Sequence, residues 1–190
     1  MENYLDESVR ERLLLSALRE LEEHGFRDFS LRRVASSAQV SCAAPYRHFK
    51  SKDELILAVI RHVRDGWYLL CEQIGSVYKS DSAAQLVELC TSGVRFWLAN
   101  ASFRSVLFGG ISGSDRERRK ELRLFDKPIQ DCIESLSLSF GLDAAKTERL
   151  SYSALAVFWG TVMLAASSDG AAIELCIKNM RSELYSLLDF

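Results

Sequence analysis

The sequence predicts an all-α protein, a three-helix head on an all-helical body of about nine helices in total. Two observations predict it. Apolar residues recur at three-to-four spacing along nearly the whole chain, and β-branched alternation is almost absent. Only Pro45 and Pro128 can interrupt a helix from within. With 190 residues, 48% of them hydrophobic, the chain has enough apolar material for a real core.

The elements follow in order. Ser8 and Glu11 have capping-box spacing, Val9, Leu13, Ala17 and Leu21 form one stripe, and Gly25 ends the first helix after His24. Phe26 and Phe29 anchor the link to a short second helix, N-capped by Ser30, with Leu31, Val34, Ala35 and Ala38 on its buried face. A turn around Gln39 and Val40 leads to Ser41, the expected N-cap of a third helix running to about Phe49. Pro45 is tolerated there because the first turn of a helix has no partner for its missing N–H. Ser51 and Glu54 form a second capping box and open a long fourth helix with the stripe Leu55, Val59, Val63, Trp67, Leu70 and Ile74. Beyond a polar break at 79–82, segments are expected over roughly 82–99, 101–109, 114–140, 144–168 and 171–189. Gly109-Gly110 and Ser112-Gly113-Ser114, then Gly141-Leu142-Asp143, then Ser168-Asp169-Gly170 separate them.

Charge is uneven. The whole chain carries a net −2, yet residues 27–64 hold eight Lys or Arg against three acids (Asp28, Asp53 and Glu54). A basic segment on an otherwise acidic protein is the footprint of a local nucleic-acid contact. No run approaches the 18 or more apolar residues that a membrane span needs, and MENYLDESVRER lacks a signal-peptide core, so a cytoplasmic protein without a membrane partner is expected. Five scattered cysteines (Cys42, Cys71, Cys90, Cys132 and Cys176) show no metal-ligand spacing and read as reduced thiols. No metal and no cofactor is expected. Neither a Ser-His-Asp or Cys-His set nor a phosphate-binding Gly-rich loop is present, which argues against an enzyme.

Two short helices joined by a tight turn, with small Ala35 at their crossing, describe a helix-turn-helix over about 30–49. In that arrangement the third helix enters the major groove and the second crosses the backbone. Arg32 and Arg33 open the second helix, Tyr46, Arg47 and His48 project from the third, and Lys52 sits in the first turn of the fourth, where free N–H groups favour phosphate.

The run SLRRVASSAQVSCAAPYRHFKSKDELILAVI, residues 30–60, closely resembles the tetracycline-repressor (TetR) family of transcription regulators. With the preceding helix the resemblance covers residues 7–67, an expected DNA-binding domain, and leaves 68–190 for ligand binding and dimerisation. The V-S-x-x-x-x-Y-x-H-F-x-S-K-x-E-L pattern is long and specific, and A-A-P-Y-R-H-F looks like a subtype of it. The resemblance implies phosphate contacts from Tyr46, His48 and Lys52, and base-edge or nearby contacts from Ser41, Cys42, Ala43, Ala44 and Arg47. Cys42, Ala43 and Pro45 depart from the usual residues. Base readout on so apolar a leading turn would lean on Arg47, methyl contacts and DNA shape.

In the body, Trp67, Phe96, Trp97, Phe103, Phe108, Phe125, Phe158 and Trp159 concentrate aromatic bulk. They read either as core packing or, by the resemblance, as the lining of an effector cavity. The last two helices are apolar nearly all round, which requires a partner on each side. Leu150, Ala154, Val157, Thr161, Ile173, Ile177, Met180 and Leu184 are the expected homodimer face. A repressor of a pseudo-palindromic operator, released by a small, largely apolar ligand, is the function the resemblance implies.

Overall fold

The computed structural model describes residues 2–101 and 116–189, with side chains described from residue 9 onward except at 118. Among the described residues the helices are α1 (Glu2–His24), α2 (Leu31–Ser37), α3 (Ala44–His48), α4 (Lys52–Val77), α5 (Ser82–Ala99), α6 (Arg116–Arg123), α7 (Lys127–Phe140), α8 (Ala144–Ala166) and α9 (Gly170–Leu187), with a 3-10 turn at Leu124–Asp126. The chain divides into two compact units, Met1–Asp65 with Ala101–Leu122, and Gly66–Asn100 with Arg123–Phe190.

The first unit gathers the apolar stripe of α1 (Leu13, Ala17, Leu21) with Val34 and Ala35 of α2, Phe49, and Leu55, Ile56, Val59 and Ile60 of α4, all buried. Burying these side chains supplies the main drive for its folding. α1 starts earlier than the capping box suggested, so Ser8 lies inside the helix. The residues before it include neither Gly nor Pro, and nothing there stops the helix from continuing.

The second unit is a helical bundle. α9 lies along α8, and α5 packs against α7, α8 and α9. Three of its helices start alike: the carboxylates of Asp81, Asp143 and Asp169 accept from the N–H groups of Ala84, Lys146 and Ala172 at 2.9, 2.8 and 3.1 Å. Gly141 (φ +63°) closes α7 in the left-handed region, where a side chain would be strained.

One expected helix is broken. The segment over 114–140 is α6, the 3-10 turn and α7, because Pro128 falls in the first turn of α7. A proline inside a continuous helix would clash with the carbonyl four residues back and leave it unbonded. The expected helix over 101–109, the cap at Ser114, and Phe103 and Phe108 lie outside the described residues, apart from Ala101. α8 is long and apolar enough by length and composition to cross a membrane. The side of it that carries Leu150, Ala154, Phe158, Thr161, Val162 and Ala165 is buried in the bundle, as in the core helix of a globular domain.

Trp67, Trp97, Phe125 and Phe158 are buried. The rings of Trp67 and Phe96 lie 5.3 Å apart, Trp97 and Phe125 5.0 Å, and Trp97 and Trp159 5.4 Å, within the range of favourable aromatic contact. Gly93 of α5 makes room for them. A Cβ there would stand 2.8 Å from the Phe158 ring and 3.2 Å from the Trp67 ring. Gly93→Ala is therefore expected to cost about 1–3 kcal/mol by overpacking, read as a lowered urea midpoint at unchanged slope; an unchanged midpoint would show that the cluster has slack.

Candidate nucleic-acid interface

The helix-turn-helix is built from backbone constraints. The Ser30 hydroxyl accepts from the Arg33 N–H at 3.4 Å and caps α2. α2 ends in a Schellman motif: the Val40 N–H reaches the Ala35 carbonyl at 3.0 Å, and the Gln39 N–H reaches Ser36 at 3.1 Å. Gln39 takes φ +55°, the left-handed conformation that turns the chain toward α3. Ser41 is not the cap of the third helix. α3 begins at Ala44, with Ala43 at its N-cap position and no side-chain cap bond. Pro45, preset for a first helical turn, makes the helix start here.

This geometry sorts the sequence-assigned residues. Tyr46 is 64% exposed. Arg47, Ser41, Cys42 and Ala43 are also exposed and His48 half-exposed, whereas Ala44 and Pro45 are buried. Ala44 thus packs inward and offers no surface for base contact. Phe49 is buried, and the Arg10 guanidinium stacks over its ring at 5.2 Å. The Ser51 hydroxyl accepts from the Glu54 N–H at 3.1 Å, while the Glu54 carboxylate accepts from the Lys50 N–H at 2.6 Å, one residue outside the usual capping box.

Three of the eight basic residues counted over 27–64 are neutralised by carboxylates within this unit. The Arg33 Nε lies 2.9 and 3.1 Å from the two oxygens of Glu20, a residue only 5% exposed on α1, and the Arg33 guanidinium also donates to the Asp28 carbonyl. The Ser30 N–H completes the Glu20 site at 2.9 Å. Burial pushes the Glu20 carboxyl up, but the bonds from Arg33 and Ser30 outweigh it and hold its pKa below the ordinary 4.5. Arg33 is thus a strut between α1 and α2 rather than a free DNA ligand. Arg61 and Arg64 of α4 both donate to Glu121 of α6, Arg61 at 2.7 Å.

Lys52 is the fourth tethered cation. Its Nζ donates to the Phe29 carbonyl at 2.9 Å and lies over the Phe29 and Phe26 rings at 5.3 and 5.9 Å. Two N–H donors remain for another acceptor. Arg27, Arg32, Arg47 and Lys50 are the exposed cations of this segment without a side-chain partner among the described residues. Lys50 was not singled out by sequence reasoning, although it stands beside the Tyr-Arg-His run.

The other assigned groups separate in the same way. Trp67 donates its Nε1–H to the Phe125 carbonyl at 3.0 Å, and Trp159 donates to the Asp126 carboxylate at 3.0 Å. Burial pushes Asp126 up from its ordinary 3.8 to about 6, and the Trp159 bond only partly counters it. Of the expected dimer face, Leu150, Ala154, Thr161, Ile177, Met180 and Leu184 are buried in the core of a single chain, and Val157 and Ile173 are half-buried. Those residues hold α8 and α9 to their own bundle. The exposed apolar side chains on these helices are others, among them Met163, Leu164, Leu175 and Tyr185. Cys71, Cys90 and Cys132 are buried thiols, with burial raising Cys71 to about 12 and Cys132 to about 11. No metal-binding group of three or more ligands occurs among the described residues.

A short helix projecting an exposed Tyr-Arg pair, set by a tight turn against a second short helix, is a helix-turn-helix. Residues 13–59 match the family described as bacterial regulatory proteins, tetR family. No curated protein matches the chain. Among solved structures it is similar to a protein of unknown function from Rhodococcus sp. RHA1, at a TM-score of 0.77 and 23% identity over 94% of both chains. It is also similar to a TetR transcription regulator from Haloarcula marismortui ATCC 43049 (TM-score 0.72, 19% identity, 95% of this chain and 96% of that one). A third likeness is to the fatty acid degradation regulator FadR from Bacillus halodurans (0.69, 16%, 93% and 94%). At these identities the likeness shows the fold. The family match covers residues 13–59, within the helix-turn-helix unit, and the structural likenesses show that the fold of the whole chain is shared with such regulators.

Two carboxylates give opposite pH signatures. The depressed Glu20 stabilises the fold above its ordinary 4.5, and this contribution drains away as pH falls through the lower folded value. Glu20→Gln should cost about 1–3 kcal/mol at neutral pH and flatten the acid limb of a stability–pH curve; a neutral effect would show that the strut is not a stabilising one. Asp126 has a folded value above its unfolded one, so stability rises as pH falls through about 6 toward 3.8. Asp126→Asn should gain about 1–3 kcal/mol near pH 8 and nothing near pH 4, measured by denaturant titration at both.

Proposed function

We propose that this protein is a TetR-type transcription regulator, a repressor that binds a pseudo-palindromic operator as a homodimer in the cytoplasm and is released by a small, largely apolar effector. The observation that carries the DNA half of this reading is the exposed Arg47, without a side-chain partner among the described residues, beside exposed Tyr46 on α3. Arg47 would reach base edges or phosphates in the major groove, Tyr46 and His48 the backbone, and Arg32 and Lys50 the phosphates on either side. Ser41, Cys42 and Ala43 would skirt the base edges. Residues 7–67 would act as the DNA-binding domain and 68–190 as the body.

Two recognition helices of a dimer would lie about one DNA turn apart, roughly 34–36 Å. The support for a dimer is the exposed apolar side of α8 and α9, where Ala156 and Gly160 leave room for close approach beside Met163, Leu164 and Leu175. Trp67, Phe96, Trp97, Phe125, Phe158 and Trp159 would border the effector, with Asp126 as a polar group for orientation. α4 carries Lys52 at its start and Trp67 in the aromatic cluster, so it is the element whose shift would pass the effector's binding to the head. The fatty acid degradation regulator among the structural likenesses makes acyl compounds a first set of effectors to try.

Arg47→Ala should weaken binding to duplex DNA from the promoter region of its own gene by about 1–3 kcal/mol at unchanged thermal stability, measured by mobility shift. Binding equal to that of the unaltered protein would overturn the docking of α3.

A further inference from the structure

We infer that the groove between α7 and α8 is a binding site for an amphipathic amine, with an apolar body and an N–H-bearing cationic end. None of its lining residues belongs to the aromatic cluster, so the site goes beyond the effector reading above.

The groove has a volume of about 760 Å³, room for a ligand of several tens of atoms. Its walls are two helical stripes. Ile133, Glu134, Ser137 and Leu138 succeed one another at three-to-four spacing on α7, and Glu148, Ser151, Tyr152 and Leu155 do so on α8. The turn at Gly141 sends the chain back, and Leu142 closes the end. Ile133 is buried, while Leu138 and Tyr152 stand at the rim, 84% and 76% exposed.

Two features specify the occupant. Ser137 is one of the residues lining this groove, it is only 4% exposed, and its buried hydroxyl oxygen has no hydrogen-bond partner among the described residues. Buried hydroxyls are nearly always bonded, and one left unmet is costly, so a polar ligand atom reaching it would relieve that cost. The ionisable side chains lining the groove besides Tyr152 are Glu134 and Glu148. Among the described residues no lysine or arginine lines it. An anion entering here would meet two carboxylates, whereas an ammonium would be attracted by both and could donate to Ser137. Apolar walls, an acceptor at the floor and negative charge at the mouth together describe an amine with an aromatic or alkyl body.

The test uses the full chain and two probes of the same shape and opposite charge, 1-naphthylmethylammonium and 1-naphthylacetate, by equilibrium dialysis at two protein concentrations. The ammonium should bind saturably and at least about tenfold more tightly than the carboxylate. Glu134→Gln with Glu148→Gln should bring the two probes within about threefold of each other. Ser137→Ala should weaken the ammonium severalfold while leaving the melting temperature unchanged or higher, since it removes an unmet buried hydroxyl. That opposition separates a ligand role from a folding one. Equal binding of the two probes, binding of neither, or Ser137→Ala without effect would overturn the inference. So would ammonium binding that weakens as protein concentration rises, because the groove would then be covered by a second copy.

Discussion

A single carboxylate on α1 takes Arg33 out of the free charge of the head and ties α2 to α1. Glu20 is almost wholly withdrawn from water, and an ionised carboxylate in that position requires several donors. Arg33 and the Ser30 N–H supply them, and α2 is thereby fixed at its first turn to α1. The recognition helix follows after one left-handed residue, Gln39, so its placement inherits whatever holds α2. A charge spent inside the protein is unavailable outside it. The same holds for Arg61 and Arg64 with Glu121, and for Lys52 over two phenyl rings. The exposed positive charge without a side-chain partner among the described residues is consequently narrower than the composition of 27–64 implies: Arg27, Arg32, Arg47 and Lys50.

The successive turns of α4 are tied to different partners. Arg61 and Arg64 bond to Glu121, while Trp67 and Tyr68 bond to the carbonyls of Phe125 and Leu124 at 3.0 and 2.8 Å. The 3-10 turn that receives the last two bonds also carries Asp126, held by Trp159 of α8. A half-buried acid with one indole donor is a poorly solvated charge, and its environment gains stability when it is neutralised. Pro128 is the covalent reason that this turn exists: without a break there, α6 and α7 would be one rod with its carbonyls bonded internally.

What could be read from the sequence was local. Capping by Ser30 and by Ser51 with Glu54, the stop at Gly141, and the short helix-turn-helix spacing depend on neighbours within a few residues, and the structure contains all of them. The cap at Ser41 failed because Pro45 imposed its own helix start, a competition between two local rules. The strut role of Arg33 could not be read, since its partner lies 13 residues away on another helix. An arginine at a helix start looks the same in sequence whether it faces a phosphate or a glutamate. The burial of most of the expected dimer residues within a single chain could not be read for a related reason. A helix apolar all round does not say which side its own bundle takes, and the bundle took Leu150, Ala154, Ile177 and Met180.

The most direct measurement is the salt dependence of duplex binding by the unaltered protein across its native promoter DNA. With four cations lacking a side-chain partner among the described residues, Arg27, Arg32, Arg47 and Lys50, the logarithm of the binding constant should fall linearly with the logarithm of salt, at a slope of several units if two copies bind together as proposed. A slope near zero, or no binding in dilute salt, would contradict the account.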